Sequence, residues 1–124
     1  MIHVQDRAEA EHQREPADAP GQQCEQIATA DMLDRAAEAA SFMKALAHEG
    51  RMMILCHLSG GEKTVGQLEQ LLGQRQAAVS QQLARLRAEG LVSSRRAGKA
   101  RLYTVSDPRA AEVVGLMYRL FCAN

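Results

Sequence analysis

Apolar residues recur at helical spacing over Asp31–Leu46, where Leu33, Ala36, Ala37, Ala40, Met43 and Leu46 mark one side of an Ala-rich, strongly helix-favouring segment. A second run, Arg51–Leu58, groups Ile54, Leu55 and Leu58 and stops at Gly60 and Gly61. Thr64 followed by Gln67 reads as a capping box, and Val65, Leu68, Leu71 and Leu72 give the short helix behind it one buried stripe up to Gly73. In a helix over about Arg75–Glu89, Val79, Leu83 and Leu86 fall at i, i+4 and i+7, which turns Ala77, Ser80 and Gln81 outwards. Beyond Gly90, Leu91–Arg96 and Ala100–Val105 have the pattern of two strands joined by a turn at Gly98 and Lys99. Asp107 then caps a last helix with Pro108 at its first position, and Val113, Val114, Met117, Leu120 and Phe121 form an apolar face running into Cys122. Ahead of all these, Glu, Gln, Asp, Ala, Pro16 and Pro20 appear without a period, which predicts a disordered arm over residues 1–28.

This order predicts a mainly α fold with a small β-hairpin: a winged helix-turn-helix with flanking helices suited to dimerisation, occupying residues 29–124. The 124 residues suffice for one domain. In such a fold the N-terminal end of the recognition helix enters the major groove, so Gln76, Ala77, Ser80 and Gln81 are the candidates for base or phosphate contact. Arg95, Arg96, Lys99 and Arg101 on the hairpin are the candidates for the flanking phosphates.

Charge supports that reading only once it is resolved along the chain. The formal net charge is zero, but residues 1–30 hold two basic and six acidic residues and the remainder 13 basic and nine acidic. Within 75–101 the basic residues Arg75, Arg85, Arg87, Arg95, Arg96, Lys99 and Arg101 face Glu89 alone, a pattern suited to double-stranded DNA or to a solvated charge run. No stretch approaches the ~18 apolar residues of a membrane span, and no signal-peptide pattern opens the chain, so a cytoplasmic location with no membrane partner is expected.

The three cysteines, Cys24, Cys56 and Cys122, include no Cys-x-x-Cys pair, so they are packed small hydrophobes or reactive thiols rather than a disulfide framework. Cys56 and Cys122 bracket the DNA-reading part from two different helices. His48 and His57 are potential ligands beside Cys56, but neighbouring helix positions diverge by about 100°, which favours packing or surface roles. No convergent acid, base or nucleophile set suggests an enzyme, and no cofactor is expected.

The segment Ala45, Leu46, Ala47, His48, Glu49, Gly50, Arg51 resembles the LADPTRxxIL signature of the ArsR/SmtB repressors. Ala78, Val79, Ser80, Gln81, Gln82, Leu83, with Leu86, Gly90, Leu91 and Val92, is similar to that family's recognition helix and the start of its wing. The resemblance spans about residues 35–122 and implies a homodimer, joined through its first and last helices, that represses from a palindromic operator until an inducer arrives. At the family's Cys-x-Cys-type metal position this chain has Val65, Gly66, Gln67 and Leu68, and Asp107–Cys122 contains no histidine, so no metal site is expected.

The persulfide-sensing branch of that family carries one cysteine in the second helix and one in the last, where Cys56 and Cys122 fall. That resemblance implies a switch in which persulfides or polysulfides link the two thiols by a disulfide or a longer sulfur bridge, releasing genes of sulfide oxidation or detoxification; Cys24 would be an accessory thiol. A direct disulfide tolerates Cα separations up to about 7 Å, whereas inserted sulfur lengthens the link. Attack needs a thiolate, so at least one of the two thiols is expected to have a depressed pKa. The alternatives are a metal or general oxidant sensor of the same family and a non-regulatory protein using the same fold.

Overall fold

The structure is a computed structural model, and residues 20–123 are described, with the exception of the Cys24 side chain. In chain order the elements are α1 (Pro20–Glu25), α2 (Thr29–Leu46), α3 (Glu49–Leu58), α4 (Val65–Leu72), α5 (Gln76–Ala88), β1 (Val92–Ala97), β2 (Ala100–Val105) and α6 (Pro108–Phe121). Among the described residues no helix is long and apolar enough to cross a membrane.

The described chain divides inside α2 into a unit ending at Ala40 and a second beginning at Ser41. The first unit holds α1 and most of α2. The α1 turn lies within the stretch expected to be an arm, so Pro20–Glu25 is helical where no element was predicted; residues 1–19 and Cys24's thiol lie outside the described set. Leu33 is exposed on α2.

In the second unit, α3 is the hub, packing against α4, α5, α6 and β2. The core consists of Ala45, Leu46, Ile54, Leu55, Leu58, Leu68, Val79, Leu83, Leu86, Leu91, Val92, Ala110 and Val114. The predicted caps account for where the helices begin and end. Thr64 Oγ1 accepts from the Gln67 N–H at 3.1 Å while Gln67 Oε1 accepts from the Thr64 N–H at 2.8 Å, a reciprocal capping box. Gly73 ends α4 in the left-handed region at φ 65°, where a side chain would be strained. Asp107 Oδ1 accepts from the Arg109 N–H at 2.9 Å, with Pro108 opening α6.

Three boundaries or faces differ from the sequence reading. Helix α3 starts at Glu49 because His48 Nδ1 accepts from the Gly50 N–H at 3.0 Å and caps it. Strand β1 starts at Val92 because the Leu91 N–H donates to the Leu86 carbonyl at 2.9 Å across Gly90, so Leu91 closes α5 instead of opening the strand. Leu71 is half exposed: only Leu68 of the α4 stripe is fully buried, since an eight-residue helix turns its outer positions past the edge of a small core.

The hairpin is antiparallel, with Ser94 opposite Tyr103, Arg95 opposite Leu102, and Arg96 opposite Arg101. On the far side of β2, Lys63 pairs with Tyr103 through two backbone hydrogen bonds of 2.8 and 3.1 Å, which ties the hairpin to the α3–α4 loop.

Candidate DNA interface and thiol pair

Helix α5 has two chemically distinct sides. Val79, Leu83 and Leu86 are buried, so the register of the helix leaves Gln76, Ala77, Ser80 and Gln81 exposed. The α3 backbone approaches α5 closely at Gly50, where an added Cβ would lie 2.5 Å from Gln82 Nε2. Gln82 Oε1 is buried there without a hydrogen-bond partner among the described residues. The four exposed positions give an amide and hydroxyl front suited to groove edges and phosphates.

Arg95, Arg96, Lys99 and Arg101 are all exposed on the hairpin but differ in what holds them. Arg95 grips Glu62 in a fork, Nε to Oε2 at 2.8 Å and Nη2 to Oε1 at 2.9 Å. The Arg95 hydrogen bond holds the Glu62 carboxyl below its ordinary range. Arg101 Nη1 donates to Ser94 Oγ at 3.0 Å. Among the described residues Arg96, Lys99 and Arg101 have no carboxylate partner. Sequence reading missed Glu62: it lies 33 residues from Arg95, and the Lys63–Tyr103 pairing between distant segments brings the two together.

Cys56 is on α3 and Cys122 at the C-cap of α6, both exposed and neither in a disulfide. An open cleft of about 360 Å³ runs between the two helices, lined by Cys56, Ser59, Gly60, Ala111, Val114, Gly115 and Tyr118. Its room comes from small side chains at 60, 111 and 115. Burial pushes the Cys56 thiol above its ordinary pKa and the negative charge of Cys122 pushes it further. A largely apolar wall and a like charge thus both disfavour the thiolate at Cys56. His48 does not join it with a free Nδ1, since that atom caps α3. Among the described residues no group of three or more His, Cys, Asp or Glu side chains converges as metal ligands would.

A short helix, a second helix with a polar exposed front, and a cationic hairpin docked on the same core define a winged-helix DNA-binding fold. Residues 48–94 match the family described as bacterial regulatory protein, arsR family. The chain is 44% identical over 94 residues to the biofilm growth-associated repressor of Xylella fastidiosa, across 76% of this chain and 82% of that protein. It is 39% identical over 92 residues to the transcriptional activator HlyU of Vibrio cholerae, across 74% and 85% respectively. Among solved structures, reduced HlyU of Vibrio cholerae superposes with a TM-score of 0.72 at 39% identity, covering 75% of this chain and 98% of that one. The transcriptional repressor BigR of Xylella fastidiosa gives 0.71 at 42% identity, covering 79% and 100%. The chain belongs to the arsR family of bacterial regulatory proteins.

Proposed function

We propose that this protein is a homodimeric transcriptional repressor that binds operator DNA and releases it when persulfides link Cys56 to Cys122. The observation that carries the switch is the placement of the two thiols: Cys56 lies on α3 and lines an open cleft against α6, and Cys122 ends α6, the helix that packs on α3. The repressing sense is supported by relatives named as repressors, although HlyU is named an activator. The dimer is supported by the apolar side chains left exposed on α6, Leu116, Tyr118, Leu120 and Phe121, and by exposed Met43 on α2. Val113 and Met117 on α6 are half-buried, so Leu120 and Phe121 offer the larger apolar surface to a second copy. Operator contact falls to Gln76, Ala77, Ser80 and Gln81 in the groove and to the cationic hairpin on the backbone. A cytoplasmic setting, where thiols stay reduced until challenged, suits both roles.

The chemistry needs no other oxidant. A cysteine thiolate attacks the sulfane sulfur of R–S–S–H, the thiolate R–S⁻ leaves, and a cysteine hydropersulfide remains. Attack by the second cysteine on the first one's own sulfur gives a disulfide and expels hydrosulfide; condensation of two cysteine hydropersulfides gives a trisulfide and hydrogen sulfide. Either bridge ties α3 to α6 and favours the dimer geometry it fits. Moving an equilibrium from 1:99 to 99:1 takes about 5.5 kcal/mol of differential stabilisation. Derepression of genes that oxidise or detoxify sulfide is the physiological counterpart.

The test is operator binding with intact mass measured on the same samples. A persulfide donor is expected to lower the affinity of the parent protein and of Cys24→Ser, while Cys56→Ser and Cys122→Ser stay bound. A Cys122→Ser protein that still releases DNA with the donor overturns the two-thiol switch.

A further inference from the structure

We propose that Glu62 sets the angle of the wing on the helix-turn-helix body through Arg95, so that Arg95 is a positioning residue and the phosphate-binding charge of the wing is Arg96, Arg101 and Lys99. The inference rests on the DNA-binding reading above and divides its cationic hairpin into two jobs.

The first observation is the route of the ion pair. Lys63 pairs with β2 on the side away from β1, so Glu62 belongs to one outer edge of a three-chain ladder and Arg95 to the other. The Glu62–Arg95 fork therefore passes over β2 and fastens the outer edges together. The base of the hairpin is fixed by buried Val92 and by Tyr103 and Val105 packed on the core, with the Lys63 bridge of two backbone hydrogen bonds along β2; a two-point contact between planar carboxylate and guanidinium adds a further anchor closer to the tip. Arg95 is three residues before Gly98 at the tip, so a small rotation at the fork is magnified where the wing would meet DNA.

The second observation concerns charge. Arg96 and Arg101 are directly opposite in the register, and like charges across a ladder repel. Among the described residues neither is ion-paired; Arg101 spends one N–H on Ser94 Oγ. The fold thus keeps two arginines at one register position of the hairpin with Lys99 in the turn beyond them, a repulsion that an incoming phosphate would relieve. Arg95 is already neutralised by its carboxylate.

Operator affinity measured across a range of salt concentrations separates the two jobs, with far-ultraviolet circular dichroism confirming the helical content of each variant. Glu62→Gln and Arg95→Gln are expected to weaken binding by a similar roughly two- to fivefold with an unchanged salt slope, since they loosen an exposed pair without removing a phosphate contact. The charge swap, Glu62→Arg with Arg95→Glu, is expected to restore affinity. Arg96→Gln and Arg101→Gln are each expected to flatten the slope by about 0.9. The proposal is overturned if Arg95→Gln flattens the slope, if the swap stays weak, or if Glu62→Gln tightens binding, which would make Glu62 a competitor for phosphate. If folded Arg96→Gln, Arg101→Gln and Lys99→Gln all keep parental affinity and slope, the DNA face itself is misassigned and both readings fall.

Discussion

Leu83 and Gln81 are two residues apart on α5 and should fail in opposite ways when cut back to alanine. Leu83 is 1% exposed, in the middle of the buried stripe. Leu83→Ala removes about three carbon groups, each worth ~0.8 kcal/mol of burial, and the cavity left behind raises the total to about 3–4 kcal/mol. Against a stability of roughly 5–15 kcal/mol the variant stays folded, and with a urea slope of about 1–2 kcal/mol/M its midpoint falls by about 2 M. Gln81 is exposed, so Gln81→Ala should change stability by no more than ~0.5 kcal/mol, yet weaken operator binding roughly tenfold by losing a base or phosphate hydrogen bond. Urea unfolding at one fixed protomer concentration, beside operator titrations, reads both effects. If Gln81→Ala unfolds as early as Leu83→Ala, or if Leu83→Ala costs less than ~1 kcal/mol, the assignment of the two faces is wrong.

In a Cys24→Ser background, Cys122→Ser should lower the pKa of Cys56, because the like charge goes, and leave it above the ordinary value, because burial remains; thiolate absorbance against pH measures this, and an unmoved pKa refutes the coupling. Asp107 should confer pH dependence on stability: its hydrogen bond with Arg109 depresses its folded pKa, so its contribution is complete above the unfolded value of ~3.9 and is lost as pH falls through the lower folded value. Asp107→Asn keeps a cap acceptor but should abolish that part of the acid dependence in urea unfolding; an unaltered pH profile would count against it. Sedimentation should give a dimer at micromolar concentration that Phe121→Asp dissociates, whereas a monomeric parent binding tightly to one half-site would refute the dimer.

Local signals were readable where a short stretch of chain fixes its own geometry. Thr64 with Gln67, Gly73, and Asp107 with Pro108 all sit at helix ends because their capping bonds span no more than a few residues. The stripe of Val79, Leu83 and Leu86 was readable because a 13-residue helix repeats its period often enough to define a face. Burial at the edge of the core was not, as exposed Leu71 shows, since it depends on which neighbour stands opposite. The same distinction runs through the candidate site. Exposed Gln76, Ala77, Ser80 and Gln81 follow from helix period, but the partnership of Arg95 with Glu62 depends on a strand pairing between distant segments. The raised pKa of Cys56 likewise reflects the packing of α6 beside it, which spacing along the chain does not encode.

Gly115 lies within α6, outside the glycines of positive φ, and a methyl group there would meet nothing nearer than Arg119 Nη1 at 3.7 Å. Replacing a mid-helix glycine by alanine strengthens a helix by roughly 1 kcal/mol, so the backbone has no need of glycine at this position. What the missing methyl leaves open is space in the cleft that Gly115 and Cys56 both line. On the proposed switch, Gly115→Ala would make the protein harder to melt and slower to respond to its inducer. Heat tolerance and responsiveness would then be adjustable in opposite directions by one carbon atom, a useful dial for anyone building a sulfur biosensor on this scaffold.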